Sequence, residues 1–258
     1  MKPISRTIFL CLFPFAVLHA QEAPAPKPEL RPYQQEFSNL PLGKREDFSK
    51  KFMEGQRLFN EKRVFEALEK VNEAEAIFAD SPELLTLRGA CDVEFRNFEK
   101  AMESFVKADK LIPGQQSILF NIAELNFVTK DWAAAETSLA KVLAMVPAKP
   151  SANDLQLSRL VEFKLLLSKL KLGKKEEAAK MAVKYDYLDD SPYPYYAEAA
   201  IHFSEGREIE AEAAMARGGR IFQNPGILAP WQDTMIEFGY IKGFFGGDAE
   251  APAVAPVE

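Results

Sequence analysis

One interval, 34 residues, recurs through the first two-thirds of the chain and limits what it can fold into. It separates Gly55 from Gly89 and Gly89 from Ala123, and it separates Ala67, Ala101 and Ala135. Val71, Phe105 and Leu139 keep the same step, as do Ala74 and Ala108, and Pro113 and Pro147. Small residues at fixed places let two helices cross closely, and large apolar residues four positions along fill the space beside the crossing. Proline at the end of each period stops the second helix, because it lacks an N–H and restricts the residue before it. The pattern predicts tandem helical hairpins. Phe48, Phe52, Gly55 and Phe59 begin the first, whose partner helix runs from about Val64 to Phe78. Asp80-Ser81 before Pro82 is a helix start, Pro113-Gly114 a turn, and Asp131 a cap.

The second copy carries Leu85, Gly89, Phe98, Ala101, Phe105, Ala108 and Pro113. The third keeps Leu119, Ala123, Trp132, Ala135, Leu139 and Pro147. This helix–turn–helix pattern resembles the tetratricopeptide repeat (TPR). The first copy departs from it, with Lys51 and Ala79 where the family has an apolar residue and a proline. After Pro147 the period breaks at a polar insert, residues 149–154, followed by a leucine-rich helix over 155–172 that must be buried on several sides. Ala178 lies 43 residues after Ala135, marking a fourth hairpin displaced by nine residues, and Ala211 lies 33 after Ala178, marking a fifth. Gly218-Gly219 makes that fifth copy divergent. Residues 230–245, with Trp231, Met235, Phe238 and Ile241, read as a helix covering the open apolar end of the stack. The expected fold is therefore all-α: a TPR-like α-solenoid of about five helical hairpins plus a C-terminal capping helix, some eleven helices over residues 44–245.

Residues 1–20 have the order of a secretory signal peptide: Lys2 and Arg6, an apolar run from Ile8 to Leu18, then Ala20. The run is short for a membrane span, so no span is expected after cleavage, although an uncleaved anchor is a rival reading. Residues 21–43 contain Pro24, Pro26, Pro28, Pro32 and Pro41 and read as an extended Pro-rich linker. Residues 246–258 read as a disordered tail. A short signal and a mature chain with one thiol, Cys91, suit a periplasm or cell envelope, with secretion the other exported setting.

The chain carries 32 basic and 38 acidic residues. Removing residues 1–20 takes Lys2 and Arg6 and no acid, moving the net charge from −6 to −8. That balance argues against nucleic acid as a partner and against docking on anionic lipid. His19 and His202 are the only histidines, so no histidine triad, dyad or zinc pair can be assembled. There is no glycine-rich phosphate loop, and Glu176-Glu177 and Asp189-Asp190 are adjacent pairs whose side chains diverge on a helix. No catalytic residue, metal or cofactor is expected.

The resemblance implies that the first helix of each repeat lines a concave groove for an extended peptide or another protein. Chaperone-binding members clamp a terminal carboxylate there with lysine and asparagine. The matching places here carry Phe52, Gln56, Thr86, Ala90, Phe120 and Glu124, so that clamp is missing. Aromatic residues instead recur seven apart on one helical face: Phe52 and Phe59, Phe120 and Phe127, and Tyr196 and Phe203. Phe163 and Leu170 follow the pattern approximately, Thr86 and Val93 are the small exception, and Tyr193 adds to the face. Phe52, Phe59, Phe120, Phe127, Phe163, Tyr193, Tyr196 and Phe203 are the candidate partner-binding residues. They are read either as the wall of a groove for an apolar partner segment or as packing between repeats. Two function classes follow: an exported scaffold or adaptor for a protein partner, and a structural subunit of a homo-oligomer. An enzyme on a helical solenoid is a third reading that no residue pattern requests.

Overall fold

The computed structural model describes residues 30–147 and 151–242. The segments expected to be a signal peptide, 1–20, and a disordered tail, 246–258, lie outside them. The described residues form helices and connections, with no strand among them. Five antiparallel pairs follow one another: α2 (Leu42–Asn60) with α3 (Val64–Glu75), α4 (Pro82–Glu94) with α5 (Phe98–Leu111), α6 (Gln116–Val128) with α7 (Trp132–Ala144), α8 (Ala152–Lys171) with α9 (Lys175–Ala182), and α10 (Tyr193–Ser204) with α11 (Glu208–Ile221). A short helix, α1 (Pro32–Asn39), precedes them and α12 (Pro225–Phe238) follows. The expected solenoid is present.

The turn inside each pair is the same device. Lys62, Arg96, Lys130, Gly173 and Gly206 all have positive φ, from 58° to 75°. Each donates its N–H to the carbonyl three residues back, and the next residue donates to the carbonyl five back, as Lys62 to Phe59 and Arg63 to Leu58. This double closure satisfies carbonyls left open at a helix end. Three of the five positions are basic rather than glycine. A left-handed conformation costs such residues about 1–2 kcal/mol, and a cation beside the helix C-terminus offsets part of it. Between the pairs, side-chain caps start the helices. Ser81 accepts from the Leu84 N–H, Asp131 from Ala134, and Ser151 from Asp154.

Small residues sit where the helices cross, as their spacing requires. A Cβ added at Gly89 would meet the buried Phe105 ring at 2.6–2.9 Å, whereas one added at Gly219 would meet open space. Gly89→Ala should therefore destabilise by about 1–3 kcal/mol through overpacking, despite the better helix former. Gly219→Ala should stabilise by about 0.5–1 kcal/mol. Denaturant titration of the two variants checks both signs.

Two segments differ from expectation. The Pro-rich stretch was expected to be extended through residue 43, but residues 32–39 are helical and α2 already starts at Leu42. Pro32 sits at a first-turn position that needs no N–H, and the Gln34 side chain accepts from the Arg31 N–H at 2.9 Å. Phe37 then packs against Phe48 and Phe78, with ring centroids 5.2 and 5.3 Å apart. At the other end, α12 begins at Pro225, five residues before the expected start, with Pro230 inside it. It stops at Gly239, which is left-handed. Residues 243–245 lie outside the described residues. The expected capping helix α12 covers more than the last hairpin. It lies across the face made by α6, α8 and α10.

Candidate functional site

The first helices of the pairs, α2, α4, α6, α8 and α10, form one face, and α12 divides it into a covered half and an open half. In the covered half, Leu228, Trp231, Met235 and Phe238 recur at helical spacing along α12 and are all buried. The Trp231 ring meets Phe163 at 5.4 Å, Tyr196 at 5.7 Å and Tyr193 at 6.3 Å. Phe238 meets Trp132 at 5.3 Å and Phe127 at 6.2 Å. Beyond the helix, Tyr240 stacks on Phe203 at 5.0 Å. Burial pushes the Tyr196 and Tyr240 hydroxyls up to about 12.

This corrects the reading of the aromatic face. The seven-residue spacing does bring aromatic side chains to one side, but Phe127, Phe163, Tyr193 and Tyr196 are at most 1% exposed and belong to the core with α12. Phe203 lies half-buried beneath Tyr240, and Phe120 is half-buried against the same core. Of the eight, Phe52 and Phe59 line an open cleft over α2 and α4, and Phe203 and Tyr196 border a separate cavity beside Tyr240. The physical reason is that the face is apolar enough to be covered, and the chain supplies its own cover.

In the open half, a cavity of about 500 Å³ over α2 and α4 and one of about 330 Å³ reaching α6 share Phe59 and Ala90, making one cleft. Its apolar floor includes Phe52, Leu87, Val93 and Leu125, and Gln56, Asn60 and Asn121 add side-chain amides. The cleft ends against α12 at Glu237. Another cavity, of about 630 Å³ beside α11 and Tyr240, shares no lining residue with it. Glu124 was visible as a clamp-position residue. Glu237 was not, because nothing in its own neighbourhood of sequence says where α12 docks.

A lysine joins the two halves. Lys164 of α8, only 3% exposed, meets Glu124 of α6 at 2.5 Å and Glu237 of α12 at 3.5 Å, with its ammonium 4.9 Å from the Phe127 ring centre. Partial burial raises the Glu237 pKa, its side chain remaining 38% exposed, while Lys164 opposes that shift and Glu124 and Asp233 add to it. Glu237 thus binds its proton more tightly in the folded chain than in the unfolded one. Its ionisation opposes folding, and the cost appears as pH rises from the ordinary carboxylate range through the raised value. Glu237→Gln should raise the melting temperature at neutral pH, where Lys164 keeps Glu124, and leave it unchanged near pH 4. Melting curves at the two pH values check this.

A second polar cluster pins the connection between α9 and α10. Arg159 of α8 donates twice to one Asp189 oxygen, at 2.8 and 2.9 Å, and lies 3.5 Å over the Tyr185 ring. Glu162 accepts from Lys184 and from the Tyr185 hydroxyl. The pairing of these carboxylates with cations makes this a structural tie. Among the described residues, no group of three or more His, Cys, Asp or Glu could hold a metal ion, and no helix is long and apolar enough to cross a membrane. Cys91 is buried, and burial pushes its thiol up to about 11, away from nucleophilic use.

No protein-family model matches the chain, and no curated protein matches it in sequence. Solved structures do match it in fold. A tetratricopeptide repeat protein from Parabacteroides merdae aligns with a TM-score of 0.54 at 15% identity, covering 79% of this chain and 80% of that one. The MamA protein aligns at 0.53 and 15% identity, covering 70% of this chain and 94% of its own. PilF of Pseudomonas aeruginosa aligns at 0.51 and 14% identity, over 76% and 94% respectively.

Proposed function

Because the chain is a tetratricopeptide-repeat protein in its fold, we propose that it is a non-enzymatic scaffold or adaptor that holds a protein partner in the cleft over α2, α4 and α6. One observation carries this reading. Half of the repeat face is already covered by α12, and the other half presents an open cleft with an apolar floor and side-chain amides. Amides of Gln56, Asn60 and Asn121 can donate to and accept from an extended backbone, while Phe52 and Phe59 take apolar side chains. We further propose an exported setting, in the periplasm or cell envelope. Lys2, Arg6, the apolar run and Ala20 support it, and N-terminal sequencing of the exported chain should begin at Gln21. Recovery of Met1 on a membrane-bound form would establish an uncleaved anchor instead.

The test is Phe59→Ala. Half-buried at the cleft, Phe59 should cost about 1 kcal/mol of stability or somewhat more on truncation, well below a core phenylalanine. Capture of partners from the source envelope should fail with the variant. A fully retained partner would refute the cleft as its site. If the wild-type chain proves to be a dimer that Phe59→Ala dissociates, the second copy is the occupant and the structural-subunit reading replaces the adaptor.

A further inference from the structure

We infer that the cleft selects a partner segment carrying a lysine or arginine between apolar residues. The inference rests on the proposed use of the cleft and adds the chemistry of its occupant.

Acids outnumber bases around the cleft. Glu83, Glu94, Glu124 and Glu237 line it, against Arg96 on its wall and Lys62 at its edge, which meets Glu94 at 3.3 Å. Lys164 lies beneath and is already held by Glu124 and Glu237. Three of the four acids, Glu94, Glu124 and Glu237, converge at the α6–α12 end from three different helices. One of their oxygens lacks a partner: Glu124 Oε2 meets Lys164, but Oε1 is buried from solvent without a hydrogen bond. A buried carboxylate oxygen left open is costly, and a donor arriving from a ligand removes the cost. Phe59 and Phe98 stand among the same lining residues, and each ring already takes a cation of the chain on one side, Lys62 at 6.0 Å and Arg96 at 5.3 Å. Aromatic faces beside carboxylates receive a guanidinium or ammonium by both cation–π attraction and charge-assisted hydrogen bonds. The apolar floor running back to Phe52 accommodates apolar neighbours of that cation. An acidic C-terminal segment would meet like charge here, which discriminates against it.

The inference is tested with a display library of random dodecapeptides panned on the full chain, with Phe59→Ala as the control for use of the cleft. Peptides that need Phe59 should be enriched in lysine or arginine beside an apolar residue. Replacing that arginine with citrulline should weaken binding about tenfold, the scale of one charge-assisted contact. Glu237→Gln, which leaves Lys164 paired with Glu124, should weaken the arginine peptide similarly and the citrulline peptide little. Phe59-dependent peptides without basic residues, or equal binding of the citrulline form, would overturn the charge selection and leave the cleft standing. Failure to recover any Phe59-dependent peptide would count against the cleft itself, and the charge selection would fall with it.

Discussion

Trp231→Ala should destabilise the chain by about 3–5 kcal/mol, the range for truncating a large aromatic side chain in a core. Trp231 is 2% exposed, and its ring lies among Phe163, Tyr193 and Tyr196 from two different helices. Removing it leaves a cavity bounded by rigid rings, which cannot collapse as readily as aliphatic chains. Because stability of a single domain is typically about 5–15 kcal/mol, a large share is at stake. Deleting residues 225–242 should go further, exposing Phe127, Phe163, Tyr193 and Tyr196 together and producing aggregation. Deleting residues 250–258 should leave melting unchanged. A Trp231→Ala variant that unfolds at the wild-type denaturant midpoint would show that α12 is not part of the core.

Arg159→Ala should cost a similar amount, about 3–5 kcal/mol, because breaking a buried ion pair on one side leaves a carboxylate without its cation. Arg159 and Asp189 are 13% and 10% exposed in their side chains, and the guanidinium also covers the Tyr185 ring. The loss should be local as well as global. Residues 183–192 link α9 to α10 without a helix of their own, and Arg159 ties them back to α8. Hydrogen exchange there should accelerate more than in α2–α5. Arg159→Met, paired with Asp189→Leu, should recover most of the stability, since replacing both partners by apolar groups removes the uncompensated charge. No recovery in the double variant would mean that the hydrogen bond donated by Ser191 to Asp189 carries the tie instead.

The repeat was legible in the sequence because close crossing of helices demands small residues at fixed places: Gly89 beneath Phe105 leaves no room for a methyl group. The turns were less legible. Glycine marks Gly173 and Gly206, but Lys62, Arg96 and Lys130 take the same left-handed conformation, held by backbone bonds that no side chain announces. Prolines misdirected the reading at both ends. Pro32 opens a helix and Pro230 lies within one, so composition alone pointed to linker in the first case and to a boundary in the second. The aromatic spacing correctly described a helical face. Whether that face met a partner or the chain itself depended on the docking of α12, a tertiary fact that residues 225–238 do not encode by themselves.

The position of α12 also sets a ruler. A tether of three residues, 222–224, joins α12 to α11. So short a link holds it against the face at an effective concentration of about millimolar or more, and a free helix has to compete with that. A partner held in the proposed cleft is thereby confined to the span from α2 to α6. Neighbouring packed helices are about 8–10 Å apart, so two intervals give roughly 16–20 Å. At about 3.3 Å per residue, an extended segment crosses that distance in about five or six residues. On the proposed use of the cleft, the chain therefore reads a short word in its partner, with α12 as the stop at the end of it.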